Sequence, residues 1–159
     1  MTFLFDIGNV LLHVNFDPSL AWLFPDPPAD LRLRFARALS FKDDLETGRV
    51  DADTFIDRTI AILGHHGPRE DFVRAWCEVF EPIEPMGQCV ARLAADGHRL
   101  ILFSNTNSLH MDHALPKYDV FRHFPEAVFS HLVGAMKPAD AIYQHAIEKI
   151  GRASCRERV

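Results

Sequence analysis

Two short runs of near-continuous apolar residues constrain this chain most: TFLF at residues 2–5 and RLILF at 99–103. A third, AVFSHLV, spans 127–133. Strands that are apolar at consecutive rather than alternate positions are covered on both faces, as in a parallel sheet flanked by helices. A parallel crossover needs only a dozen or more residues, yet roughly ninety separate the first run from the second. Most of that interval must therefore be an insertion.

The insertion reads as helices at 18–24, 29–41, 52–63 and 70–80, with breaks at PDPP (25–28), Gly48 and GHHGP (64–68). Phe72, Trp76, Val79 and Phe80 recur at helical spacing and read as a core face. After it, residues 86–96 carry apolar side chains at 86, 89, 90 and 93, with Gly97 as a stop. The stretch SLHMDHALPKYDVFRHF (108–124) is helical and broken at Pro116, and 139–149 places Ile142, Tyr143, Ala146 and Ile147 on one stripe. This alternation predicts an α/β fold: a doubly wound, Rossmann-like parallel sheet with an inserted helical cap. The core takes residues 1–14 and 86–149, and the cap takes 15–85. The closing IGRASCRERV (150–159) has no apolar period and resembles a translated sequencing adapter. It is read as a non-native tail, with Gly151 ending the preceding helix.

Of 159 residues, 48% are apolar and 25% charged, enough for a folded core. The net charge of −5 argues against nucleic acid or an anionic membrane as partner. No apolar run is long enough to span a bilayer, and a cytoplasmic location is expected. Cys77, Cys89 and Cys155 form neither a disulfide framework nor a zinc pattern, and the first two read as core. The oligomeric state is left open.

In open parallel sheets, ligands bind beyond the carboxyl ends of the strands. Here the first run ends in Asp6, the second in Ser104-Asn105-Thr106-Asn107, and the third leads to Met136-Lys137-Pro138. A carboxylate, a hydroxyl beside helix-start amides and an ammonium would converge, a set suited to a phosphoryl group. Singly, each has a plainer reading: Asp6 closing a turn, Ser-Asn capping a helix, Lys-Pro forming a turn. His110 and His113 lie one helical turn apart and read as surface histidines, and His65-His66 as solvated. Asp43 and Asp44 could reach the site from the cap but read as a charged helix face.

Three stretches, FDIGNVL, LFSNTNSLH and GAMKPADAIYQHAI, with LETGRVDADTF in the cap, resemble the haloacid dehalogenase superfamily. Within it they are similar to the branch of phosphatases like bacterial α-D-glucose-1-phosphate phosphatase. The resemblance implies a Mg²⁺-dependent phosphatase of small phosphorylated metabolites, sugar phosphates foremost. It makes Asp6 the nucleophile and Lys137 the charge-stabilising catalytic partner. Ser104 and Asn105 would bind phosphate, through a hydroxyl and a backbone amide respectively. Asp6 and the Gly8 carbonyl would hold the metal. Two departures follow. Most phosphatases of the superfamily carry an acid–base Asp where this chain has Gly8. The fourth motif, a pair of aspartates completing the magnesium site, would fall after Lys149 and is absent. The core is therefore expected to lack its last strands, leaving the first strand at a sheet edge. The 159-residue chain is expected to be inactive at ordinary magnesium concentrations, while its full-length parent is a phosphatase. The alternatives are a 2-haloacid dehalogenase, whose usual Tyr-Gly-Thr after the nucleophile is not found here, and a non-catalytic binding module of the same fold.

Overall fold

The computed structural model describes the backbone of residues 1–156 and side chains through residue 151. In chain order the elements are β1 (Thr2–Phe5), β2 (Leu12–Val14), α1 (Asp17–Leu23), α2 (Leu31–Leu39), α3 (Lys42–Glu46) and α4 (Ala52–Leu63). Then come α5 (Arg69–Cys77), β3 (Phe80–Pro82), α6 (Glu84–Ala95), β4 (Arg99–Ser104) and α7 (Ser108–Lys117). A 3-10 turn (Asp119–His123), β5 (Glu126–Phe129), α8 (Ser130–Val133) and α9 (Asp140–Arg156) complete the chain.

The fold is α/β. β1, β4 and β5 form a parallel sheet in that spatial order, with Phe5 opposite Leu102 and Ser104 opposite Phe129. β4 shows why its sequence lacks a polar alternation. Leu100 and Leu102 join Phe5, Val90, Met111 and Phe121 on one face, while Ile101 and Phe103 join Val128, Ile142 and Ala146 on the other. Successive side chains point to opposite faces, so a strand covered twice is apolar throughout. β1 is at the sheet's edge, as expected, and its outward Leu4 is 43% exposed.

Between β1 and β4 the inserted helices have a separate core of Leu31, Ala38, Leu45, Phe55, Ile56, Leu63, Phe72 and Trp76. α4 begins and ends where the sequence indicates. The Asp51 side chain accepts the Thr54 N–H at 2.7 Å, and Gly64 closes the helix at φ 71°. Gly97, at φ 75°, follows α6 in the same manner. Where the chain leaves the sheet for the insertion and returns, β2 and β3 pair antiparallel, with Val14 opposite Phe80.

Several expectations need correction. The helix expected over 70–80 stops at Cys77, because Phe80 pairs with β2. The strand expected over 127–133 stops at Phe129; Ser130–Val133 is a helical turn closed by Gly134 at φ 77°. Pro116 is inside α7 rather than breaking it, and the turn after Lys117 is 3-10. Gly151 does not end a helix, since α9 runs on to Arg156. On α9 only Ile142 and Ala146 of the expected stripe are buried; Tyr143 and Ile147 face outward. Cys77 is buried but Cys89 is exposed, and the side chain of Cys155 lies outside the described residues. Among the described residues no helix is long and apolar enough to cross a membrane.

Candidate active site

Asp6 is held by the turn that follows β1. The Ile7 N–H donates to Asp6 Oδ1 at 2.8 Å, and the Ile7 carbonyl accepts the N–H groups of Val10, Leu11 and Leu12. Asn9 takes a left-handed φ of 57°, which asparagine tolerates, and its Oδ1 accepts the Val14 N–H. The turn thus pairs several of its own polar groups and leaves Asp6 Oδ2 to face Lys137.

β4 ends at buried Ser104, whose hydroxyl donates to the Asn105 carbonyl at 3.3 Å. Ser130, at the start of α8, accepts the Thr106 N–H and donates to the Thr106 carbonyl, clasping the ends of β4 and β5 together. Asn107 caps α7 by accepting the His110 N–H. Asn105 does something the sequence did not show. Its side-chain amide brackets the Lys137 backbone, Nδ2 donating to the carbonyl at 3.0 Å and Oδ1 accepting the N–H at 2.7 Å.

That clamp aims Lys137. Its Nζ donates to Asp6 Oδ2 at 2.6 Å and to the Phe103 carbonyl at 3.1 Å. The Asp6 side chain is 40% exposed and that of Lys137 20%, so the pair stands at an open edge rather than in the core. Asp6, Ser104, Asn105 and Lys137 therefore gather at one end of the sheet. Gly8 lies in the Asp6 turn, and a Cβ there would meet only Val14 Cγ2, at 3.5 Å. Nothing steric or conformational demands glycine at that place.

The cap brings one group that the sequence reading missed. Glu46, the last residue of α3, is 5% exposed and takes an ion pair from Lys42 Nζ to Oε2 at 2.7 Å. Burial pushes its carboxyl above the ordinary range; Lys42 opposes this, while Asp43 and Asp6 push it further. Only the i,i+4 spacing from Lys42 hinted at the pair, and nothing in the sequence marked it as buried. Neighbouring Asp44 binds Arg49 at 2.9 Å and Asp43 is exposed, so both belong to a charged helix face, as expected.

His110 is not a surface histidine. Its ring stacks on Trp76 and its Nε2 meets the Trp76 carbonyl at 3.0 Å, tying α7 to α5. Burial pushes its pKa down to about 4, although the Trp76 carbonyl opposes the shift. His113 is partly buried, with an Nε2 that lacks a hydrogen-bond partner. His65 packs against Phe24 and Phe72, whereas His66 is exposed.

Among the described residues no three His, Cys, Asp or Glu side chains are grouped to hold a metal. The donor beside Lys137 is the Asp6 carboxylate, and the Gly8 backbone carbonyl belongs to the same turn. Both are hard oxygens of the kind magnesium prefers, and they suit part of its shell, the remainder being water and substrate phosphate.

Comparison with known proteins places this geometry in context. The family model described as haloacid dehalogenase-like hydrolase matches residues 1–159. A HAD family enzyme from Bacteroides thetaiotaomicron, solved with magnesium and inorganic phosphate, superposes with a TM-score of 0.77 at 18% identity, over 94% of this chain and 78% of that one. A predicted HAD-like family hydrolase from Porphyromonas gingivalis is 25% identical, with a TM-score of 0.69 over 94% of this chain and 76% of its own. L-2-haloacid dehalogenase from Xanthobacter autotrophicus, solved with chloropropionic acid covalently bound, gives a TM-score of 0.64 at 15% identity, over 94% of this chain and 64% of its own.

Proposed function

The chain belongs to the haloacid dehalogenase-like hydrolases, and from that premise we propose a magnesium-dependent phosphatase of small phosphate esters, sugar phosphates foremost, that works through an aspartyl-phosphate. The observation that carries this reading is the Lys137 Nζ to Asp6 Oδ2 contact of 2.6 Å, made between groups 131 residues apart, Asp6 directly after β1 and Lys137 in the loop between α8 and α9. A carboxylate beside a fixed ammonium can attack an anionic centre that it would otherwise repel. The magnesium and inorganic phosphate in the Bacteroides enzyme support the same class of ligand.

In this mechanism an Asp6 oxygen attacks phosphorus while Lys137 balances charge on the phosphoryl oxygens. The Ser104 hydroxyl turns from the Asn105 carbonyl to a phosphate oxygen, and backbone N–H groups before α7 bind another. The bond to the leaving oxygen breaks, and water then hydrolyses the aspartyl-phosphate. Asp6 and the Gly8 carbonyl would hold magnesium, which would supply charge neutralisation at the phosphate.

The test is phosphate release from a panel of sugar phosphates at saturating magnesium, for the wild type and Asp6→Asn. The wild type should release phosphate and the nearly isosteric variant should not, with its melting temperature retained. Equal release by both would overturn the assignment. Chloride release from 2-chloropropionate without phosphate release would favour the dehalogenase reading instead.

A further inference from the structure

The reaction just described needs a proton donor for the leaving oxygen, and the Asp6 turn offers none, because Gly8 has no side chain. Resting on the phosphatase reading, we propose that Glu46 of the cap is the general acid and base of this site. In the first half-reaction Asp6 forms its bond to phosphorus, the phosphorus–oxygen ester bond breaks, and the departing oxygen takes the electron pair and the Glu46 proton. In the second, Glu46 as carboxylate accepts a proton from water as its oxygen bonds to phosphorus. The Asp6–phosphorus bond then breaks, releasing inorganic phosphate and leaving Glu46 protonated for the next cycle.

Three structural observations converge on this residue. Glu46 ends a helix that packs against α8, the turn directly after β5, so it enters at the end of the sheet where Asp6 and Lys137 meet. The approach there is close: a Cβ on Gly48 would come within 2.8 Å of the His131 carbonyl. The carboxyl is also shielded from solvent, unlike Asp43, and is not committed to an outward arginine, unlike Asp44. His131, on α8, is occupied at Nδ1 by the Thr106 carbonyl.

The electrostatics agree with the role. A general acid must hold its proton near the working pH, and carboxylic acids do so when buried near like charge. Glu46 is paired with Lys42 of its own helix, and the charges of Asp43 and of Asp6 in the core act on it, with Lys137 beside Asp6 and His131 on the adjoining α8. Burial dominates, and the balance raises its pKa. Lys42 tempers the rise, keeping the carboxylate accessible for the second half-reaction.

The experiment compares two substrates at saturating magnesium: p-nitrophenyl phosphate, whose phenolate leaves without a proton, and glycerol phosphate, whose alkoxide does not. For Glu46→Gln we expect kcat/KM with glycerol phosphate to fall on the order of a hundredfold to ten-thousandfold. With p-nitrophenyl phosphate a burst of nitrophenolate equal to the enzyme concentration should survive, followed by slow turnover as aspartyl-phosphate accumulates. Glu46→Asp should restore part of the glycerol phosphate rate. Lys42→Met leaves the carboxyl in place and should move the alkaline limb of the kcat/KM profile to higher pH, because the cation that lowers the Glu46 pKa is gone. Wild-type behaviour of Glu46→Gln on both substrates would overturn the proposal while leaving the phosphatase reading standing. Equal losses on both substrates without a burst, together with an unmoved limb in Lys42→Met, would overturn it as well. A wild type silent on both substrates would overturn the phosphatase reading itself, and this proposal with it.

Discussion

His110 is satisfied only when neutral. Asn107 must keep its Oδ1 on the His110 N–H, so its Nδ2 faces His110 Nδ1 at 3.3 Å as a donor, and the imidazole proton belongs on Nε2 toward the Trp76 carbonyl. Protonation at Nδ1 would set donor against donor in a buried place. The folded-state pKa of about 4 lies below the ordinary 6.5. The contribution is therefore present in full above 6.5 and is lost as pH falls from 6.5 toward 4, by about 3 kcal/mol at most. Thermal melts from pH 7 to pH 4 should show a smaller acid loss in His110→Gln than in the wild type; parallel curves would contradict this. The two described cysteines separate on the same principle. Burial pushes the Cys77 thiol up to about 11, and its Sγ donates to the Leu109 carbonyl, whereas Cys89 is exposed. At neutral pH a thiol reagent should modify Cys89 well before Cys77, as peptide mapping would show, since the thiolate is the reactive form.

At the scale of elements, the approach of α3 to α8 depends on Gly48, which combines φ 68° with a backbone oxygen where a Cβ would stand. Gly97 has a similar φ of 75° but open space around it. Both Gly→Ala changes incur left-handed strain of about 1–2 kcal/mol, and Gly48→Ala adds a clash that must push α3 from α8. Urea melts should therefore show a larger loss for Gly48→Ala, accompanied by a fall in phosphate release that Gly97→Ala does not share. What the sequence revealed follows the same division between local and distant causes. β4 was legible because burial on both faces writes an uninterrupted apolar run, β1 because it keeps such a run although Leu4 is exposed, and α4 because breaks at Gly48 and Gly64 bracket it within the chain itself. β2 and β3 were not: three residues are too few to show a period, and their pairing joins positions 12–14 to 80–82. Ser130–Val133 misled because its Leu and Val suit a strand as well as a turn. In the site, Asp6, Ser104, Asn105 and Lys137 could be read from strand ends. The Asn105 clamp on Lys137 and the burial of Glu46 arise from tertiary packing, which no spacing encodes.

The molecule as a whole is asymmetric about its sheet. β4 is paired on both sides and covered on both faces, whereas among the described residues β1 pairs only with β4. Its other edge offers backbone N–H and C=O groups with no ladder to join, and Leu4 presents an apolar side chain beside them. Such an edge is a template for strand addition, which native proteins commonly blunt with charge. β1 has none among its four residues, TFLF. The expected outcome is self-association that grows with protein concentration, through β1 meeting β1. Leu4→Lys places a charge at an exposed position, so it should oppose pairing without opening the core formed by Phe5, Leu100 and Leu102. Sedimentation velocity across a concentration series should show the wild type shifting to larger species while Leu4→Lys stays monomeric, with melting temperatures alike at low concentration. A wild type that remains monomeric throughout, with a single cooperative melt, would show that this edge is protected in solution.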